Sequence, residues 1–400
     1  MRISTAQFYQ QGVNAILDQQ SQLSQTQLQL STGKRIVTPA DDPAGAAQAL
    51  GLSQDLSLTQ QYQSNADAAN AQLGLEDTTL QSAVNLLQQA HDLAVQAGDA
   101  SQTSTARAGI AQQAQQIADQ LLSLANTRDA NGQYIFAGYQ GNSVPFTRAA
   151  NGAVAYNGDQ GQRFMQIGPA HQVAVGDSGA AVFQLIRNGN GTFVTGAAPS
   201  NTGTGIIDAG RLVDPSAYQA HDYTVQFTAP GTYNVIDNTT GGTVLSNQSY
   251  ASGGAISFDG LTVTISGQPA AGDSFTVQPS TNQDLFTTLQ NFVNAMQNPA
   301  TTPAAQAQVT SAVNRSLAEL NQGLQHVLAV DARVGARLNA VSDQKNVNGS
   351  VAVQTQQTLA SVQDLNFASA VSTLNQQLLA LQAAEKSFLK VQGLSLFQYL

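Results

Sequence analysis

Near the end of the chain runs Phe367-Ala-Ser-Ala-Val-Ser-Thr-Leu-Asn-Gln-Gln-Leu-Leu-Ala-Leu-Gln-Ala-Ala-Glu-Lys-Ser-Phe388. Phe367, Val371, Leu374, Leu378, Leu381 and Phe388 recur at alternating spacings of three and four, broken only by Glu385 at the expected seam position, which is the grammar of a helix that pairs with other helices. The opposite end has the same grammar. Tyr9, Ile16, Leu23 and Leu30 repeat every seven residues, flanked by Val13, Leu17 and Leu28, on a helix about 40 Å long at ~1.5 Å per residue. The other faces carry Gln and Ser rather than Glu and Lys pairs, so neither helix is stabilised by i,i+4 attraction and each is marginal alone. Two partners satisfy this pattern equally: the other end of the same chain in an antiparallel coiled coil, or helices of neighbouring subunits.

Moving inward, residues 1 to about 135 and about 282 to 395 are rich in Gln, Ala, Leu and Ser and read as helix. Leu80, Val84, Leu87, His91 and Ala94 form one apolar stripe, and Ile110, Ala114, Ile117, Leu121 and Leu124 a second. Leu285, Leu289, Phe292 and Met296 form a third. The fourth is Val313, Leu317, Leu320, Leu324, Val327, Val334, Leu338 and Val341, interrupted by Asp331. Between the helical parts Gly, Thr, Val, Asn, Tyr and Phe take over. Runs such as Tyr223–Phe227 and Leu261–Ile265 alternate apolar and polar residues, and Asn157-Gly158, Gly189-Asn190-Gly191 and Gly241-Gly242 supply turns. The expected fold class is therefore α+β and elongated, with a long-helix bundle, terminal coiled-coil helices from both chain ends and a central all-β insert. Three domains follow: a terminal coiled-coil assembly domain (1–45 and 350–400), a helical bundle (46–135 and 282–349) and a β-rich insert (136–281).

Composition narrows the function. The 400 residues carry 15 Lys+Arg against 25 Asp+Glu, a net charge of −10, with only 10% charged and 42% hydrophobic residues. Such a chain neutralises phosphates poorly, so neither nucleic acid nor an anionic membrane is an expected partner. The N-terminal MRISTAQFYQQGVNAILDQQ has no apolar core of a signal peptide. With no Cys, thiolate metal sites and Cys nucleophiles are excluded. His91, His171, His221 and His326 have no metal-ligand spacing, and Glu is limited to Glu76, Glu319 and Glu385. Gly176-Asp177-Ser178-Gly179 matches the nucleophile turn of chymotrypsin-like proteases, but such enzymes place His, Asp and Ser on two β-barrels, whereas the only His residues upstream are His91, in a helical segment, and His171, seven residues before the Ser, and a Gly-rich hairpin turn explains it better. Asp41-Asp42, between Pro39 and Pro43 and close to Arg35, reads as a turn whose carboxylates cap the next helix rather than as a metal site. No catalysis, cofactor or metal is expected.

At Leu30-Ser-Thr-Gly-Lys-Arg-Ile36 and Pro39-Ala-Asp-Asp-Pro-Ala-Gly45 the sequence resembles the N-terminal signature of the bacterial flagellin family, and Asp364-Leu-Asn-Phe-Ala-Ser-Ala-Val371 resembles the matching C-terminus. Asn131-Gly-Gln-Tyr-Ile-Phe-Ala-Gly-Tyr139, Pro145-Phe146 and Tyr156-Asn-Gly-Asp159 are similar to the members that join hook to filament rather than to plain flagellin. The resemblance implies an extracellular place in the flagellum, reached by type III export without a cleaved signal peptide. It implies a ring of copies of this chain between hook-associated protein 1 and flagellin, and an export chaperone on the C-terminal helix. Ile3, Phe8, Tyr9, Val13, Ile16, Leu17, Leu23 and Leu30 would then pack with Phe367, Val371, Leu374, Leu378, Leu381 and Phe388 in the assembly. Arg35, Asp41 and Asp42 would form the spoke between assembly helices and bundle. A filament-forming flagellin, or a surface-binding β module on a helical stalk, are the alternatives.

Overall fold

The computed structural model describes residues 5–99 and 102–393, and their fold class is α+β. Six α-helices are α1 (Thr5–Thr32), α2 (Pro43–Ala97), α3 (Ser104–Ala125), α4 (Leu285–Gln297), α5 (Pro303–Gln363) and α6 (Phe367–Gly393), with every strand lying between α3 and α4. The chain divides into two compact units. One is the chain up to Asn65 together with the chain from Gln344 onward; the other is Ala66–Asp343. α2 and α5 each contribute residues to both.

In the 66–343 unit the helices bury heptad seams. On α2 a buried series runs through Ala66, Ala69, Leu73, Glu76, Leu80, Ala83, Leu87, Ala90, Ala94 and Ala97, an unbroken alternation of three and four, with Thr79, Val84 and Leu86 buried beside it. This corrects the sequence reading, which placed His91 on the seam; its imidazole is partly exposed beside Asp92. On α5 the buried series Val313, Ser316, Leu320, Val327, Val330, Val334 and Val341 replaces the wider stripe, and Leu317, Leu324 and Leu338 pack partly buried on its flank. α3 packs on α4 through Ile110, Ala114, Ile117 and Leu121 on one side and Leu285, Leu289, Phe292 and Met296 on the other, all buried. Both helices start on side-chain caps: Thr103 accepts from the Ala106 amide and Asp284 from that of Thr287, each worth ~1 kcal/mol.

A second hydrophobic cluster fills the sheet region. One five-stranded antiparallel sheet runs in the order Thr243–Ser249, Thr232–Asp237, Tyr223–Ala229, Ser274–Pro279, Phe193–Ala197. Another has Leu261–Ser266 at its centre, paired with Ala255–Phe258, Ile206–Ile207 and Arg211–Leu212. Tyr223, Val225, Phe227, Val235, Phe275 and Val277 point inward from the first sheet to meet Ile256, Phe258, Leu261, Val263 and Ile265 from the second. Tyr223–Ala229 alternates as a half-buried strand should, whereas on Leu261–Ser266 Thr262 is also buried, its hydroxyl hydrogen-bonded to that of Ser257 at 2.8 Å. The edge strand Thr243–Ser249 is mostly exposed, its register with Thr232–Asp237 slips twice, and Asn247 takes φ +50° while its amide donates to Asn234 Oδ1 at 2.7 Å.

Candidate assembly interface

In the unit formed by the two chain ends, α1 and α6 pack on each other antiparallel. Tyr9 near the start of α1 meets Phe388 near the end of α6, ring centroids 5.9 Å apart and nearly perpendicular. At the other end, a side chain on Gly33 would stand 3.5 Å from the Phe367 ring. Tyr9, Gly12, Ile16, Gln19, Leu23, Thr26 and Leu30 are withdrawn from solvent on α1, and Ala370, Leu374, Gln377, Leu381, Ala384 and Phe388 on α6. Gly12 makes room for the Phe388 ring, since a Cβ there would lie 2.9 Å from it. Beside this contact lies a groove of about 220 Å³ lined by Tyr9, Gly12, Ile16, Ala384 and Phe388.

The terminal residues therefore fall into two sets. Tyr9, Ile16, Leu23 and Leu30 face the pair, as do Leu374, Leu381 and Phe388. Val13, Leu17 and Leu28 on α1 and Phe367, Val371 and Leu378 on α6 are exposed, joined by Leu379 and Leu389. Leu23 is 8% exposed, Leu17 56% and Leu379 71%. Of the two partners that the periodicity allows, the inner seam of each helix has the other end of the same chain: each walls the other, and what remains open is the flank of each. Periodicity defines a stripe but not its width, and the α6 stripe is wide enough to bury one edge and expose the other. Ile3 and the Phe8 side chain lie outside the described residues.

The turn from α1 to α2 is built on backbone hydrogen bonds. Lys34 and Asp364 form an antiparallel bridge, the Arg35 amide donates to the Gln363 carbonyl at 2.7 Å, and the Leu365 amide donates to the Gly33 carbonyl at 2.9 Å. Arg35 Nη2 donates to the Val362 carbonyl at 2.7 Å and to Asp42 Oδ2 at 3.2 Å. Asp42 caps α2, its Oδ1 accepting from the Gly45 amide at 2.9 Å, and Pro43 opens the helix at the position where a missing N–H costs nothing. Asp41 accepts from the Val37 and Thr38 amides at 3.0 and 2.8 Å and from Gln25 at 2.7 Å. The amides of Thr38 and Val37 hold the Asp41 carboxyl below the usual range; that of Gly45, then Arg35, does so for Asp42. At Gly45 a side chain would collide with the Asp42 carboxylate and stand 2.7 Å from buried Ile36.

The chemical candidates are occupied structurally. Ser178 is buried, and its hydroxyl accepts from the Ala181 amide at 3.3 Å. The Gly176–Gly179 stretch is not the hairpin turn expected from its glycines: it leads into a buried π-helical turn, Ala180–Gln184, and Gly179 lies where a side chain would strike Phe146. His171 lies at a turn closed on Gly168, His221 bonds Asp237 at 2.8 Å and His326 bonds the Ala181 carbonyl at 2.7 Å. Among the described residues no group of three His, Cys, Asp or Glu is placed to hold a metal, and no helix is long and apolar enough to cross a membrane.

Comparison with known proteins assigns this architecture. Residues 3–141 match the bacterial flagellin N-terminal helical region, and residues 197–279 match the D2-like domain of flagellar hook-associated protein 1. Over 399 residues, spanning 100% of this chain and 99% of the relative, the sequence is 27% identical to flagellar hook-associated protein 3 of Salmonella typhimurium. Two solved structures are each 32% identical: hook-associated protein 3 of Legionella pneumophila (TM-score 0.75, covering 78% of this chain and 98% of that one) and FlgL of Xanthomonas campestris (TM-score 0.73, 77% and 99%). These relatives are structural proteins of the flagellum. The chain belongs to the flagellar hook-associated protein 3 family and has a structural role in the flagellum.

Proposed function

We propose that this chain is the subunit of a ring that joins the hook, through hook-associated protein 1, to the flagellin filament, outside the cell. The observation that carries the reading is the exposed apolar flank of a helix pair that is already closed on its inner seam: Val13, Leu17 and Leu28 on α1, Phe367, Val371, Leu378, Leu379 and Leu389 on α6. Exposed aliphatic side chains repeated along both helices are what neighbouring subunits bury on assembly. On this reading 1–45 with 350–400 assemble, 46–135 with 282–349 form the bundle and 136–281 project as the insert, while Arg35, Asp41 and Asp42 set the turn between the first two. The low charge of the ends suits burial between subunits, where an unpaired charge is costly. The α6 flank is also where an export chaperone would bind, keeping it from premature contact. Export without a cleaved signal peptide belongs to the same reading.

The test is placement and assembly together. Immunogold labelling of a complemented null strain should mark the hook tip, and Leu378→Asp should abolish filament attachment while the purified variant keeps its helical content. If the purified wild-type protein instead grows long filaments on its own, it is a filament subunit and the junction reading fails.

A further inference from the structure

Two charged side chains sit where the longest helices carry their seams. Glu76 lies between Leu73 and Leu80 in the α2 series, and Arg337 between Val334 and Val341 in the α5 series. Both reach the segment leading into the π-helical turn. The Asp177 amide donates to Glu76 Oε1 at 2.9 Å, and Asp177 Oδ1 accepts from Arg337 Nη2 at 3.0 Å and from Gln162 at 2.8 Å. Glu76 is 2% exposed and Asp177 7%. Among the described residues Glu76 Oε2, Asp177 Oδ2 and Arg337 Nη1 have no hydrogen-bond partner.

The charges do not balance. Two buried carboxylates face one guanidinium, and that guanidinium bonds Asp177. An ionised Glu76 would keep a desolvated, charged oxygen with nothing to bind, whereas the neutral acid leaves an uncharged polar group there, which costs much less to bury. Burial, then the Asp177 charge, push the Glu76 carboxyl up from 4.5 to about 8, against the pull of the Asp177 amide and of Arg337. Two further carboxyls stand on the same helices: Asp77 follows Glu76 along α2, and Asp331 on α5 is held above its ordinary range by burial, then by Asp77.

We propose that Glu76, Asp177 and Arg337 form a proton-operated latch, closed while Glu76 is protonated, that fastens residues 175–186 between α2 and α5. The fastened segment matters for the core beyond it. Gly179 N donates to the Phe136 carbonyl at 2.8 Å, and the buried Phe183 ring packs against Phe136, Phe146 and Phe286. Freed of Glu76, Asp177 keeps Arg337 but loses its anchor on α2.

The sign follows from linkage. A carboxyl raised on folding contributes fully below its unfolded value near 4.5, and the contribution is lost as pH rises through about 8. Local opening should therefore increase up to about tenfold per pH unit inside that window and level off above it. Hydrogen exchange of peptides covering 175–186 in the full-length protein, compared with Glu76→Gln at each pH so that intrinsic exchange cancels, reads this directly. The wild-type to variant ratio should climb by about tenfold per unit between roughly pH 5.5 and 7.5, while peptides of the Tyr223–Ala229 strand stay at a constant ratio. A ratio flat with pH overturns the proposal, as does loss of the climb in Asp331→Asn, which would make Asp331 the switch. If Glu76→Gln fails to fold, the wild type still decides: with Glu76, Glu319 and Glu385 the only glutamates, carboxyl-labelled glutamate gives three carbon signals. A Glu76 midpoint in the ordinary range sinks the latch.

Discussion

Leu23 and Leu17 lie six residues apart on α1, and substituting each by Ala separates the work of the inner seam from that of the outer flank. Leu23 is the more deeply buried, at 8% exposure against 56%, so Leu23→Ala removes nearly a full side chain of burial from the α1–α6 pair. Burying a Leu side chain is worth about 1.5–3 kcal/mol, and the residual cavity adds to the loss where the site cannot collapse. A two-helix contact collapses more readily than a closed core, so the expected cost is about 2–3 kcal/mol, on the order of a hundredfold in local opening. Leu17→Ala should change opening by less than ~0.5 kcal/mol, as for an exposed position without special contacts. Hydrogen exchange of α1 amides in the purified monomer measures both. Filament attachment in a complemented null strain then supplies the second axis, where Leu17→Ala should be impaired despite its intact monomer. Equal loss of protection in the two variants would refute the division of α1 into a seam and a flank; normal attachment of Leu17→Ala would refute the flank as an assembly surface.

Three further outcomes follow from the geometry. Gly45→Ala should lower the thermal midpoint because its methyl group meets Asp42 and Ile36, whereas Gly51→Ala, with nothing within 4 Å, should raise stability by about 0.5–1 kcal/mol. Arg35→Glu places an acid against Asp42 and the Val362 carbonyl, and electron microscopy should find defective assembly; normal filaments would remove the role of the turn. Phe275→Ala, from a fully buried ring that packs on Phe227, should cost about 3–5 kcal/mol in denaturant unfolding.

The division into helical ends and a β-rich middle was legible because composition changes abruptly at each border. The stripes of α3 and α4 were legible too, being drawn in Ile, Leu, Phe and Met. The apolar pattern puts His91 on the α2 seam because six of the ten seam positions are Ala, and in an Ala-rich helix alanines fall on every face and mark none. The seam positions of Glu76 and Arg337 are not legible in an apolar repeat, which has no place for a charge, while the structure places both on the seam where Asp177 arrives from far along the chain. The partner of the terminal helices was beyond periodicity, which specifies a face and not what covers it. The carboxylate cap at Asp42 was readable because Asp before Pro at a helix start is a local signal that needs no tertiary knowledge.

The slipped register and left-handed Asn247 of the strand Thr243–Ser249 bear on how copies of this chain tolerate crowding. A regular exposed strand edge invites a second edge to dock, because its unpaired amides and carbonyls seek partners. Gathering subunits in one structure raises the local concentration of such edges to about the millimolar range for short tethers, where weak pairing becomes persistent. A strand that bends away twice and turns one residue out of extended geometry offers no run long enough to zip. In the ring proposed above, neighbouring inserts would be held close by their helices while remaining separate at their sheets.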